Sequence, residues 1–111
     1  MASKYNNKKI SAYGLKFDSL KEFNFYNQLV LRKKANDIKD FKHQHPFKYY
    51  INGKWIFTYN ADFVIYHNDG SEEVIDVKGF DKRTQKHITT STFNLKKKII
   101  EEHFGIKIIL R

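Results

Sequence analysis

The stretch EVIDVKG, Glu73 to Gly79, sets a carboxylate, Asp76, and an ammonium, Lys78, two positions apart in an otherwise apolar, strand-like run. Side chains two apart on a strand point to the same side. A strand that reads as interior thus carries opposite charges on one face, an arrangement that ordinary core packing does not call for.

The preceding strand, KWIFTYNADFVIY (Lys54 to Tyr66), holds a second buried-looking acid, Asp62. Whether Asp62 meets Asp76 depends on the loop between the strands. With a two-residue Asp69-Gly70 turn, Asp62 opposes Val77 and Asp76 points through the other face. With a three-residue Asn68-Asp69-Gly70 loop, His67 and Ser71 flank it, Asp62 opposes Asp76, Val64 opposes Val74, and Asn60 opposes Lys78. Gly70 then sits where such a loop wants a left-handed residue, but both turns are chemically sound and the residues leave the register open.

In the second register two acids lie directly across from each other, which destabilises a sheet, and burial adds to the cost. A divalent cation reverses that penalty. Carboxylate oxygens completed by water and phosphate oxygens are the hard donors Mg²⁺ prefers, with Mn²⁺ as a substitute. Such a cation lowers the pKa of an attacking water, and a lysine beside it stabilises negative charge developing on a phosphate. Asp62, Asp76 and Lys78 make chemical sense together as a phosphodiester hydrolysis site.

Charge points the same way. The 111 residues carry 21 Lys and Arg against 12 Asp and Glu, a formal +9, a field that attracts polyanions. Residues 1–16 hold Lys4, Lys8, Lys9 and Lys16 without an acid, and residues 78–98 hold Lys78, Lys82, Arg83, Lys86, Lys96, Lys97 and Lys98 against Asp81 alone. Lys4, Lys8, Lys9, Lys82, Arg83, Lys86, Lys96, Lys97 and Lys98 are the expected nucleic-acid contacts. Tyr5, Tyr13 and Trp55 offer rings for base stacking, Trp55 equally for core packing. Gln85 and Lys86 are further candidates for the site's edge.

Cysteine is absent, which excludes a disulfide framework and thiolate zinc sites. The HQH run, His43 to His45, would set two imidazoles on one strand face, near the sheet edge or against phosphate. No apolar run approaches the roughly 18 residues of a membrane span, and no signal-peptide core is visible. The expectation is a cytoplasmic domain without a membrane partner.

The element pattern reads α-β-β-β-α-β. Ser19 and Glu22 have capping-box spacing and start a helix over 19–35, with Leu20, Phe23, Tyr26, Asn27 and Val30 along one face. Strands follow over 42–50, 54–66 and 72–79, broken at INGK and HNDGS, with an irregularity near Asn60. A helix over TFNLKKKIIEEHF is closed by Gly105, and IKIIL makes a last strand. This order suggests an α/β fold, a mixed sheet flanked by helices. Residues 1–13 read as an extended basic arm and 14–111 as one domain.

These residues resemble the PD-(D/E)XK nuclease superfamily. Asp62 in YNADFVIY corresponds to the first acid, with Asn60 and Ala61 where a Pro usually precedes it, and Asp76 with Lys78 in IDVKG corresponds to the (D/E)XK half. Glu22 in FDSLKEFNFY resembles the helix-borne acid of resolvase-like branches. From KYNNKKISAYGLKFDSLKE to FGIKIILR the chain is similar to small phage Holliday-junction-resolvase-like and recombination endonucleases. The resemblance implies a restriction-endonuclease-like core and Glu22, Asp62, Asp76 and Lys78 as catalytic residues. It also implies a Mg²⁺ ion on Asp62, Asp76 and Glu22, branched or four-way-junction DNA as substrate, and a homodimer. The competing readings are a non-catalytic nucleic-acid-binding module and a phage protein-interaction or inhibitor factor on the same fold.

Overall fold

A computed structural model of the protein describes residues 9–111. Three tight turns built on left-handed residues shape its strands. Tyr13 and Gly14 (φ 56° and 73°) join β1, Ile10–Ala12, to β2, Leu15–Phe17. Asn52 and Gly53 (φ 49° and 76°) join β3, Asp40–Ile51, to β4, Lys54–Tyr66, the pairing of two positive-φ residues that suits the twist of a hairpin. Gly70 (φ 89°) closes the loop before β5, Glu72–Asp76.

That last loop has three residues. His67 N–H donates to the Ser71 carbonyl (2.8 Å), and β4 pairs with β5 as Phe63↔Ile75 and Val64↔Val74. This is the register that sets Asp62 against Asp76.

The main sheet has the order β3-β4-β5-β8, where β8 is Ile108–Leu110. β3, β4 and β5 are antiparallel, and β8 lies parallel to β5 after a crossover through α2, Ser91–Phe104. The Lys78 N–H to Arg111 carbonyl bond (2.9 Å) carries the extended backbone beyond Asp76. The mixed sheet flanked by helices agrees with the expected α/β class and is broadly consistent with a restriction-endonuclease-like topology. Two small hairpins are additions to the expected order: β1-β2, and β6-β7 formed by Phe80–Asp81 and Lys86–His87. Residues 10–12, read from sequence as extended arm, are thus paired; of the expected arm contacts, Lys4 and Lys8 lie outside the described residues.

α1, Leu20–Lys34, starts at Ser19, whose Oγ accepts the Glu22 N–H (3.1 Å). Its buried side differs from the expected face: Glu22 and Leu29 are buried while Leu20 is 58% exposed. The helix is rotated because the acid itself, held by polar partners described below, occupies the interior. α1 packs Phe25, Tyr26 and Leu29 with Ile38, Phe63, Ile65 and Ile75 on one side of the sheet. α2 packs Phe93 and Ile100 with Tyr59, Ala61, Val64, Val74 and Ile108 on the other.

The two clusters expose a discontinuity. Residues of like parity share a face of a regular strand. Yet in β4, Tyr59 and Ala61 pack toward α2 while Phe63 and Ile65 pack toward α1. In β3, Phe41 belongs with the α1 cluster and Phe47 with the α2 cluster. Pairing runs from His43↔Phe63 to His45↔Ala61 with no Gln44–Asp62 pair between, and Gln44 has φ 60°. Both strands exchange faces at this one step, two residues from the irregularity expected at Asn60. The same exchange separates the two imidazoles expected on one face: His43 stacks on Phe17 (4.8 Å) and His45 meets Phe47 (5.0 Å).

Candidate metal and nucleic-acid site

The face exchange puts Asp62 where the start of α1 meets the end of β5. Its Oδ2 accepts the Val77 N–H (2.8 Å) and its Oδ1 the Gln44 amide (3.4 Å). Glu22 reaches the same place from the first turn of α1. Its Oε2 accepts the Asp18 N–H (2.9 Å), and its Oε1 pairs with His43 Nε2 (2.8 Å) and the Gln44 amide (2.9 Å). Gln44 bridges two acids, which gives its left-handed backbone a purpose.

Asp18, Glu22 and Asp62 each offer a carboxylate oxygen, all within 4.8 Å of one another. This acidic cluster could chelate a metal. It lines a cleft of about 370 Å³ together with Ser19, Val77, Lys78, Gly79, Ile88 and Thr90. Ser19 and Thr90 are the N-caps of α1 and α2, so both helix N-termini, which favour anions, open onto it.

Asp76 is 2% exposed and is not among the side chains that line the cleft. Its Oδ2 accepts from Tyr59 Oη (2.6 Å) and lies 3.4 Å from Lys78 Nζ, and its Oδ1 accepts the Asp62 N–H (3.3 Å). Lys78 Nζ also sits 4.0 Å from the centre of the Phe93 ring. The structure thus brings Asp62, Asp76, Lys78 and Glu22 to adjoining positions, with Asp18 rather than Asp76 completing the cluster nearest the solvent.

The electrostatics separate the acids. Burial, followed by the neighbouring Asp76 carboxylate, raises Asp62 far above the carboxylate range, to about 8. Burial also acts to raise Glu22, but hydrogen bonds from His43, the Asp18 backbone and Gln44, with the His43 charge, outweigh it and leave Glu22 below its ordinary value. Burial and Asp76 keep the Tyr59 phenol protonated, well above its ordinary pKa. A dication bound here would offset both the burial and the Asp76 repulsion that raise Asp62, beside a Glu22 already held below its ordinary value.

The basic residues are distributed unevenly. Lys82, Arg83 and Lys86 stand exposed on the β6-β7 hairpin, Arg83 close to Asp81 (3.8 Å), and Lys9 is exposed ahead of β1. On α2, Lys97 pairs with Glu101 (3.2 Å) and Lys96 stands over Phe57 (5.5 Å), leaving Lys98 exposed. Gln85 (φ 58°) bonds the Lys82 carbonyl (2.7 Å) and closes its own hairpin rather than reaching the cleft.

Asp18, Gln44, His43 and Tyr59 are the residues of this site that sequence reasoning missed or misplaced. Asp18 lies one turn before Glu22, a spacing visible in FDSLKE. Nothing in HQH announces a left-handed glutamine.

Among the described residues, no helix is long and apolar enough to cross a membrane. No curated protein and no solved structure matches the chain. A family model does, over residues 2–109, and it carries the description protein of unknown function, DUF1064. With the match spanning nearly the whole chain, the protein belongs to the DUF1064 family.

Proposed function

We propose that this protein is a metal-dependent endonuclease that hydrolyses DNA phosphodiester bonds, acting at branched DNA such as four-way junctions. The observation that carries this reading is the convergence of Asp18, Glu22 and Asp62 in a cleft that also exposes Lys78. Capping of α1 accounts for Glu22 alone and leaves the convergence of all three acids on one place without a packing role.

Asp62 and Glu22 are the proposed holders of Mg²⁺ or Mn²⁺, with Asp76 adjoining and Asp18 at the cleft's edge. The bound cation would neutralise charge on the scissile phosphate and acidify a nearby water. The chain does the rest. Tyr59 and Lys78 fix the Asp76 carboxylate, Gln44 fixes Asp62 and Glu22 relative to each other, and Lys78 stabilises negative charge on the phosphate oxygens. The two helix N-termini favour the phosphate's entry. Water adds at phosphorus as the bond to the 3′ oxygen breaks, leaving a 5′-phosphate and a 3′-hydroxyl.

The test is cleavage of end-labelled four-way junction, flap, duplex and single-stranded DNA with Mg²⁺ or Mn²⁺, with Asp76→Asn as control. Cutting that survives excess chelator, or that Asp76→Asn leaves intact, overturns the reading.

The working unit is proposed to be a homodimer, since symmetric resolution of a junction needs two nicks related by a two-fold axis and one chain offers one cleft. Light scattering on free and junction-bound protein should give two chains per junction; productive cutting by a single bound chain refutes this.

A further inference from the structure

The β3-β4 hairpin runs beyond both helices' cores, and four large apolar side chains gather at its far end. Tyr50, Ile51, Trp55 and Ile56 are 48%, 47%, 60% and 48% exposed. Tyr50 and Trp55 are cross-strand partners beside the Asn52-Gly53 turn. Trp55 is not loose: its indole N–H donates to Thr58 Oγ1 (2.9 Å), so the ring is oriented and its polar atom satisfied while its surface stays open. A fixed, exposed aromatic face has already met part of the ordering cost of binding.

Charge says what kind of partner suits it. From Phe41 to Ala61 there is no acid, and Lys48 and Lys54 are exposed at the tip. A second copy docking here would bring like charges together. A nucleic acid strand supplies both complements, phosphates for the lysines and base faces for the rings. We propose that the Tyr50–Trp55 tip is a stacking surface for unpaired nucleotides, which holds a single-stranded segment of the nucleic acid whose backbone enters the acidic cleft. The last clause rests on the endonuclease reading; the stacking itself does not.

The spacing is compatible with one strand touching both places. Tyr50 lies six residues along β3 from Gln44, about 20 Å at the rise of an extended strand. A stacked nucleic acid strand covers that in roughly six nucleotides, at about 3.4 Å each.

Trp55 is the chain's single tryptophan, so selectively excited tryptophan emission reports on this site. The experiment titrates full-length protein, in chelator so that nothing is cut, with a short oligo-dT and with a blunt duplex of equal length. Saturable quenching by oligo-dT, weaker with duplex, is expected. Anisotropy of labelled oligo-dT should show about tenfold weaker binding by Trp55→Ala and near-normal binding by Trp55→Phe. Circular dichroism checks that both variants fold. Oligo-dT binding without any change in Trp55 emission overturns the proposal. So does a concentration-dependent dimer in sedimentation that Trp55→Ala abolishes, which would make the tip a self-association surface. If quenching occurs but no DNA is ever cut, the endonuclease reading fails and the stacking surface stands.

Discussion

Tyr59 and Asp76, on neighbouring strands, are joined by a 2.6 Å hydrogen bond in which the phenol donates to the carboxylate. The bond ties the α2-side core directly to the acid of the (D/E)XK stretch. Tyr59→Phe keeps the ring's packing and removes the donor from a buried carboxylate, at a cost of about 1–2 kcal/mol. Thermal unfolding should show the loss, and isothermal titration should show weakened Mn²⁺ binding as Asp76 loses its fixed orientation. Unchanged metal affinity would mean that Tyr59 serves the core alone.

Asp62 makes the metal-free protein sensitive to alkali. Its folded-state pKa is raised by burial and then by Asp76. The fold therefore binds this proton more tightly than the unfolded chain does. The resulting stability is fully present below the ordinary carboxylate pKa and is lost as pH rises toward about 8. In chelator, the melting temperature should fall across that interval by several degrees, given about 4–8 °C per kcal/mol for a small domain. Asp62→Asn should flatten the fall. Millimolar Mg²⁺ should restore stability at the alkaline end for the natural sequence only. A slope unaltered by Asp62→Asn would assign the proton elsewhere.

Removing Asp76 or Lys78 should separate cutting from binding. Lys78→Met is expected to lower cleavage by at least about a hundredfold, the scale of losing one transition-state charge contact, and Asp76→Asn to lower it comparably by removing the carboxylate that positions Lys78 and the Asp62 backbone. Affinity for DNA in chelator should change by less than a few fold, because the exposed cations persist. A parallel loss of binding and cutting would demote both residues to structural supports.

The lysines of α2 and the cations of the β6-β7 hairpin should contribute unequally to phosphate contact. Lys97 is committed to Glu101 and Lys96 to the Phe57 ring, whereas Lys82 and Lys86 are exposed. Each phosphate contact contributes about 0.9 to the salt slope of duplex binding. Alanine at Lys82, Arg83 and Lys86 should therefore lower the slope by about 2–3, and alanine at Lys96, Lys97 and Lys98 by about 1. Equal losses would show that DNA draws the α2 lysines out of their internal contacts.

Much of this architecture could be read from residues alone because local chemistry and global fold agree there. The Lys54–Tyr66 strand, the Ser19 cap, the helix ending at Gly105 and the order of the two helices and the four main-sheet strands follow from turn glycines, caps and apolar periodicity, while the two small hairpins do not. The acids Asp62 and Asp76 stood out because their surroundings are apolar. What stayed hidden depends on tertiary contact. Glu22 turns inward because His43 and Gln44 receive it from β3, and that rotates α1 away from the face its hydrophobic pattern suggests. Gln44 adopts a backbone conformation that its residue type disfavours, held by two acids distant in sequence. Parity arguments along β3 and β4 therefore fail at that step, and with them the placement of the histidines.

The step at Gln44 and Asp62 has a simple arithmetic. Strike one residue from each strand there, and His43 would adjoin His45 while Ala61 adjoined Phe63. The up-and-down alternation of both strands would then run on as far as the register shift between Tyr49 and Tyr50, with each aromatic on the side it already occupies. Short of the bulge near its tip, the hairpin is thus an ordinary amphipathic ribbon carrying a surplus residue on either strand, placed where β4 ceases to pair with β5. Neither hydrophobic cluster needs the surplus. It turns an acid out of the alternation and sets a glutamine across from it, a local irregularity whose beneficiary is the cleft.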